Sequence, residues 1–270
     1  MKKVIYSAIL LLSTATFAQE EEPKKDTTRV NMGKIEIILV DHSNDEADVT
    51  DTIDAAPDEF EKKKYEAHWA GLDMGFSMLM NSQFDNNFEN YPYWENDPAR
   101  SMTWNLNILE HKFAIGKEYF GITTGLGFSF TQIAFRDNYI LTNTADTLFA
   151  TIDTVNVYSK NKLKATYLTV PLLLEFCTNA DEDKSFYLAA GVVGGVRLTS
   201  RVKRNGEFDG KEFQQIEKGV YGLNSFKLDG TVRLGYGSWG AFANYSLLPL
   251  FDTAKTVEVY PLTFGLSLNF

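Results

Sequence analysis

The 270-residue chain is poor in the residues that most often build reactive centres: it has one cysteine, Cys177, and three histidines. A single thiol excludes an internal disulfide and any metal site made of several cysteines. Basic residues are outnumbered, 26 Lys and Arg against 36 Asp and Glu, for a formal net charge of −10. That balance argues against a nucleic-acid partner, because phosphate binding needs clustered Lys and Arg. Mean hydropathy is −0.22, and no apolar run beyond residue 18 is long enough for a membrane-spanning helix. The composition is otherwise that of an ordered protein, 44% hydrophobic and 23% charged, with a high aromatic share of 14%.

Residues 1–18 read as a cleavable targeting segment. Lys2 and Lys3 precede the apolar stretch VIYSAILLLSTA, and Thr16-Phe17-Ala18 makes a small-x-small site before Gln19. A membrane anchor is the alternative reading, disfavoured by the short apolar stretch. No cysteine follows the cut, which argues against a lipoprotein. Cleavage removes two lysines, so the mature charge becomes −10 − 2 = −12. Residues 19–66 are charged and Pro-bearing, and read as an acidic tether. Within it VNMGKIEIILV predicts a short hairpin around Met32-Gly33.

From residue 67 to 270 the pattern changes and holds. Eight segments alternate with period two, the signature of strands with unlike faces: AHWAGLDMGFSMLM, SMTWNLNILEHKF, YFGITTGLGFSFTQ, ATYLTVPLLLEF, SFYLAAGVVGGVRLTS, SFKLDGTVRLGY, SWGAFANYSLL and YPLTFGLSLNF. In the first, Ala70, Leu72, Met74, Phe76, Met78 and Met80 oppose Trp69, Gly71, Asp73, Gly75 and Ser77. In the second, Met102, Trp104, Leu106 and Ile108 oppose Ser101, Thr103, Asn105 and Asn107. In the last, Tyr260, Leu262, Phe264, Leu266, Leu268 and Phe270 oppose Pro261, Thr263, Gly265, Ser267 and Asn269. Connections alternate strictly between long and short, so all long loops fall at one end, the asymmetry of outer-membrane barrels.

A soluble barrel points its apolar face inward and a transmembrane barrel points it outward. Here the polar faces are rich in Gly, Ser, Thr and Asn rather than Lys and Glu. Small residues suit the narrow interior of an eight-stranded barrel. Aromatics recur near segment ends, among them Trp69, Trp104, Tyr236, Trp239 and Phe270, as in an interfacial girdle. The fold expected is all-β: an eight-stranded antiparallel up-and-down transmembrane β-barrel, preceded by a signal peptide and a short acidic N-terminal tether. Its place would be the outer membrane of a Gram-negative cell, with a periplasmic tether and outer-membrane lipid as its surroundings.

YLTVPLLLEF (167–176) and the ending YPLTFGLSLNF resemble the outer-membrane β-barrel family of Bacteroidetes that includes PorT-like proteins. HWAGLDMGF (68–76), preceded by DTTRVNMGKIEIILVD (26–41), is similar to the first strand and upstream segment of such proteins. The resemblance covers roughly residues 26 to 270. It implies fold and location, and it implies that the strand ending at Phe270 is read by the barrel-assembly machinery. It does not carry over the link of PorT to type IX secretion.

For chemistry the material is thin. His42 lies in the tether, while His68 starts the first strand and His111 ends the second, so all three fall at or beyond the periplasmic end. His-dependent proteases and lipid A deacylases of the barrel type would lack a general base at the outer rim. Asp85, Glu89, Glu95 and Asp97 supply carboxylates without EF-hand spacing, and read as a solvated loop. Cys177 reads as an inert buried thiol, and no catalytic residue, metal or cofactor is expected.

Six charges fall on polar faces: Asp73, Glu175, Arg197, Lys227, Asp229 and Arg233. Unpaired charge in a narrow interior is costly, so they should pair. Arg197 and Asp229 are expected at similar heights on adjacent strands, with Glu175 and Arg233 both near the periplasmic end. The expectation is a structural, salt-bridged plug, with gating or proton relay as a lesser alternative. Three functional classes remain: a non-enzymatic structural or interaction protein working through loops or tether, a small pore or transporter, and an enzyme acting on lipid or peptide.

Overall fold

The computed structural model describes residues 27–32, 35–40, 67–115, 119–179, 184–208 and 210–270. The expected signal segment and His42 lie outside the described residues. The chain divides into two units, Met1–Phe60 and Glu61–Phe270. In the first, β1 (Thr27–Met32) pairs antiparallel with β2 (Ile35–Val40), Thr27 opposite Val40 and Met32 opposite Ile35.

The second unit begins with β3 (Gly71–Met80), β4 (Met102–Ala114), β5 (Phe120–Ala134), β6 (Tyr139–Asn143) and β7 (Leu148–Ile152). It continues with β8 (Val157–Cys177), β9 (Phe186–Phe208), β10 (Lys211–Lys218), β11 (Phe226–Tyr236), β12 (Trp239–Ser246) and β13 (Tyr260–Asn269). Eight of these pair in the order β9-β11-β12-β13-β3-β4-β5-β8, and β8 pairs back onto β9. The ladder therefore returns to its start as an eight-stranded ring, with every neighbour antiparallel. The seam joins the last strand to the first, from Tyr260 opposite Met80 to Asn269 opposite Gly71.

The period-two pattern sets which side faces in. On β3, Asp73, Gly75 and Ser77 are buried while Leu72, Met74 and Phe76 are exposed. On β8, Thr169, Leu173 and Glu175 are buried while Val170, Leu172 and Leu174 are each at least half exposed, Leu172 at 57%. This is the inverse of a soluble barrel: the ring turns polar groups inward and large apolar groups outward.

Two features depart from the simple alternation. β4 carries a bulge, its register against β5 shifting between Asn107 and Leu109. One extra residue reverses the side-chain parity of the rest of the strand. Leu109 and Phe113 consequently face out, while Glu110 and Lys112 turn inward, each partly buried. The second departure is the lead-in to β3. Ala67, His68, Trp69 and Ala70 are all buried, so this segment folds into the mouth of the ring. Trp69 is thus an interior residue and not part of an aromatic girdle.

The loop end is also more structured than a set of solvated loops. β6 and β7 form a hairpin, and β10 pairs along the extended end of β9, so that β8, β9 and β10 rise beyond the ring. Trp94 and Phe251 are fully buried and pack at 4.3 Å between ring centroids. They belong to an apolar core with Leu79, Ile133, Leu148, Leu163 and Val202. The loops fold down over the upper interior because enough apolar surface is available there to bury.

Gly125 is where the lead-in segment needs space. A Cβ there would press against the Leu109 carbonyl oxygen and meet Trp69 Cδ1 at 2.9 Å. At Gly194 a Cβ would meet only the Val170 carbonyl oxygen, at 3.9 Å. Gly125→Val should therefore destabilise the ring by about 1–3 kcal/mol or more, lowering the temperature at which the compact form is lost on an unheated gel. Gly194→Ala should leave that temperature unchanged.

Candidate functional site

The interior is organised in layers. At the short-turn end the centre is Glu175. Its Oε1 accepts from Lys112 Nζ at 3.0 Å, lies 2.8 Å from His68 Nδ1, and accepts from the Cys177 thiol at 3.2 Å. Its Oε2 accepts from Thr123 Oγ1 at 2.7 Å. Lys112 Nζ also donates to Cys177 Sγ at 3.0 Å. His68 stacks on Tyr187 with ring centroids 4.1 Å apart, and its Nε2 has no hydrogen-bond partner among the described residues. Beside them Glu110 Oε2 accepts the backbone amides of Trp69 at 2.9 Å and Ala70 at 2.6 Å. The carboxylate thereby satisfies two amide donors that would otherwise be stranded where the chain turns into the ring.

The next layer is a buried ion pair. Arg233 Nη2 donates to Asp73 Oδ1 at 2.7 Å and Nη1 to Oδ2 at 2.9 Å, with both side chains 1% exposed. Asn105 and Asn107 each donate to the same carboxylate at 3.2 Å. The guanidinium lies 5.0 Å from the Trp69 ring and 5.7 Å from the Phe242 ring. A fork-on-carboxylate pair with further donors and aromatic faces compensates desolvation better than a bare contact would. Above it, Ser77 joins Thr103 at 2.8 Å and Thr263 at 2.9 Å. A cavity of about 40 Å³ comes next, with Thr103, Thr131, Asn244 and Asp229 in its wall and Leu163 and Leu250 beneath the apolar core. That volume holds roughly three waters.

The six expected charges thus lie in and above this stack, in partly different pairs. Asp73 binds Arg233, which joins β3 to β11. Glu175 is bound by Lys112 and His68. Asp229 binds Lys227 on its own strand at 2.8 Å and accepts from Ser246 Oγ at 2.7 Å. It does not pair with Arg197, which donates to Ser200 Oγ at 2.9 Å and to the Asn224 carbonyl at 3.3 Å. The reason is height: Asp229 is opposite Val193 on β9, four residues below Arg197. Lys112 and Glu110 could not be assigned from alternation alone, because the bulge that turns them inward leaves no period-two trace. His111 is exposed and stacks edge-on against Phe113 at 4.5 Å.

Chemically the turn-end cluster holds charge in place. His68, Glu175 and Cys177 present ligand atoms within 4.8 Å of one another, but the Lys112 ammonium already contacts two of the three. Cys177 Sγ is 3.8 Å from His68 Nδ1, and that nitrogen is engaged by Glu175. Thiol, imidazole and carboxylate are all buried, so a substrate has no approach to them.

The ring, the inverted faces and the one-sided loops agree with the comparison to known families. The family described as "Outer membrane protein beta-barrel domain" matches residues 67–255. The chain belongs to that family. Among solved structures, the crystal structure of Ail, the attachment invasion locus protein of Yersinia pestis, is similar at 14% identity. The match covers 74% of this chain and 99% of that one, with a TM-score of 0.30. The structure of Ail in complex with the heparin analogue sucrose octasulfate is similar at 12% identity. It covers 74% of this chain and 96% of that one, with a TM-score of 0.30. No curated protein matches the chain.

In this outer-membrane barrel a further side-chain cluster lies outside the ring at Asp153, between β7 and β8. Its Oδ2 accepts from Tyr158 OH at 2.6 Å and Asn156 Nδ2 at 2.8 Å, and Oδ1 accepts the amides of Val155 and Asn156 at 2.9 and 3.1 Å. The Tyr158 hydroxyl, followed by the Asn156 amide, holds this carboxyl well below the usual aspartate range. A depressed folded value stabilises above the unfolded value and is lost as pH falls through the folded one. Hydrogen-exchange protection over 153–158 should therefore be intact above about pH 4 and decline below it. Asp153→Asn should abolish that dependence.

The ion pair makes a second prediction. Arg233→Ala leaves Asp73 buried without its cation and should cost about 3–5 kcal/mol, read by denaturant unfolding in detergent. Arg233→Met with Asp73→Leu should recover most of that loss.

Proposed function

We propose that this is a sealed, non-enzymatic outer-membrane barrel with a structural or interaction role, working through its folded loop end and its N-terminal tether. The observation that carries the reading is the filled interior. From the Glu175 cluster through the Arg233–Asp73 pair to the Trp94–Phe251 core, side chains occupy the axis of the ring. The outward apolar faces support embedding in lipid, where only a closed set of strands satisfies every backbone group. In that orientation the short turns and residues 19–66 are periplasmic, the loop end is extracellular, and residues 1–18 are the export signal. The barrel-assembly machinery is the proposed reader of the strand ending at Phe270. PorT-like kinship within Bacteroidetes belongs to the same reading and rests on the sequence resemblance.

The pore alternative is weaker because a cavity of about 40 Å³ is too small for a hydrated solute path. The enzyme alternative is weaker because the buried cysteine, histidine and glutamate are closed to substrate. Purified protein in a planar bilayer should show no steady unitary current, and vesicles containing it should retain small solutes. A stable conductance step in the unmodified protein would sink the sealed reading. Arg233→Ala combined with Trp69→Ala should raise solute efflux, because it removes the guanidinium and the ring that fill one layer.

A further inference from the structure

On the outside of β8, β9 and β10 the apolar surface ends abruptly in positive charge. Going toward the loop end, Leu168 on β8 is followed on the same face by Thr166, Lys164 and Lys162. On β9, Leu198 and Thr199 are followed by Arg201 and Lys203. The register sets like charges side by side: Lys162 is opposite Lys203, Lys164 is opposite Arg201, and Arg201 is opposite Lys218 of β10. Like charges directly opposite on one face are destabilising. The strands' own acids do not relieve them. Glu217 binds Arg204 at 3.1 Å, and Glu207 and Glu212 face each other near the hairpin tip. Among the described residues, Lys164, Arg201, Lys203 and Lys218 have no side-chain ion pair or hydrogen bond, while Lys162 donates to the Arg100 carbonyl at 2.8 Å.

A chain with a net charge of −10 thus concentrates unpaired cations on one stretch of wall, at the upper rim of the apolar band. Lys162, Lys164 and Lys203 are partly buried while Arg201 and Lys218 are exposed, and long cationic side chains at an interface cover apolar surface with their stems while the charged head stays in the polar phase.

We propose that this rim is a docking surface for the phosphate groups of the outer-leaflet glycolipid, with Lys164, Arg201, Lys203 and Lys218 as its principal cations. The inference rests on the membrane reading given above. Lipid phosphate is the occupant of choice because the cations continue directly from the lipid-facing apolar residues, at the height where headgroups begin. Anionic surfaces attract such residues by roughly 1 kcal/mol each.

The test uses the full chain reconstituted into vesicles of phosphatidylethanolamine mixed with lipid A, followed by repurification and lipid quantification. Wild type should retain at least about fivefold more lipid A than the variant carrying Lys164→Gln, Arg201→Gln, Lys203→Gln and Lys218→Gln. The excess should vanish with dephosphorylated lipid A. Equal retention by both proteins, or equal retention of the two lipids, overturns the docking surface. So does a variant that loses binding to soluble heparin while keeping its lipid A. Protease protection of the strands, measured on the same vesicles, separates the premises. A chain that fails to insert overturns the membrane reading and the docking surface together, whereas an inserted chain with equal retention overturns the docking surface alone.

Discussion

The structure depends on an arginine that has been given no access to water. Arg233 lies inside a ring whose outer wall is apolar, so its charge must be balanced from within. Asp73 supplies the countercharge, Asn105 and Asn107 complete the carboxylate's hydrogen bonds, and Trp69 and Phe242 cover the guanidinium. These groups come from β3, β4, β11, β12 and the lead-in segment. The pair therefore specifies how distant parts of the chain meet, a role in which buried ionic groups are better attested than as a source of net stability.

Around it the interior divides by chemistry. The turn end is ionic and filled partly by the chain's own lead-in, the middle is lined by hydroxyls, and the loop end is an apolar core of the kind found in soluble proteins. The turn-end half can hold charge because its carboxylates have partners: the amides of Trp69 and Ala70 for Glu110, and Lys112 and His68 for Glu175. The upper half needs no such matching, because Trp94, Phe251 and their neighbours bury apolar area instead. Loops that could have remained solvated are thereby ordered as a cap.

Much of the ring was legible in the sequence because period two is a direct readout of facing. Leu72, Met74 and Phe76 against Asp73, Gly75 and Ser77 required no tertiary information. Three things escaped that reading, each for a physical reason. The β4 bulge changes parity without changing composition, so alternation carries no sign that Glu110 and Lys112 turn inward. Trp69 matched both an interfacial aromatic and an interior one, and only the space above Gly125 decides between them. The partners of Asp229 and Arg197 depended on height along tilted strands, a three-dimensional quantity that alternation does not encode. The packed cap was hidden for a related reason, since Trp94 and Phe251 are 157 positions apart and neither sits in a periodic segment.

The lead-in segment also bears on the order of events by which such a ring could form. Asp73 and Arg233 are 160 positions apart, and His68 and Glu175 are 107 apart. Trp69 adjoins the first strand of the ring and Asp73 lies on it, yet their partners lie on strands made later, and that first strand is itself one side of the seam. The pieces of the plug are carried to their places by the same movement that brings the first strand to the last. Closure and filling are in this sense one event: a ring joined in the wrong register would leave a charge without its opposite and an indole without its hollow. The molecule carries its own proofreading of the seam.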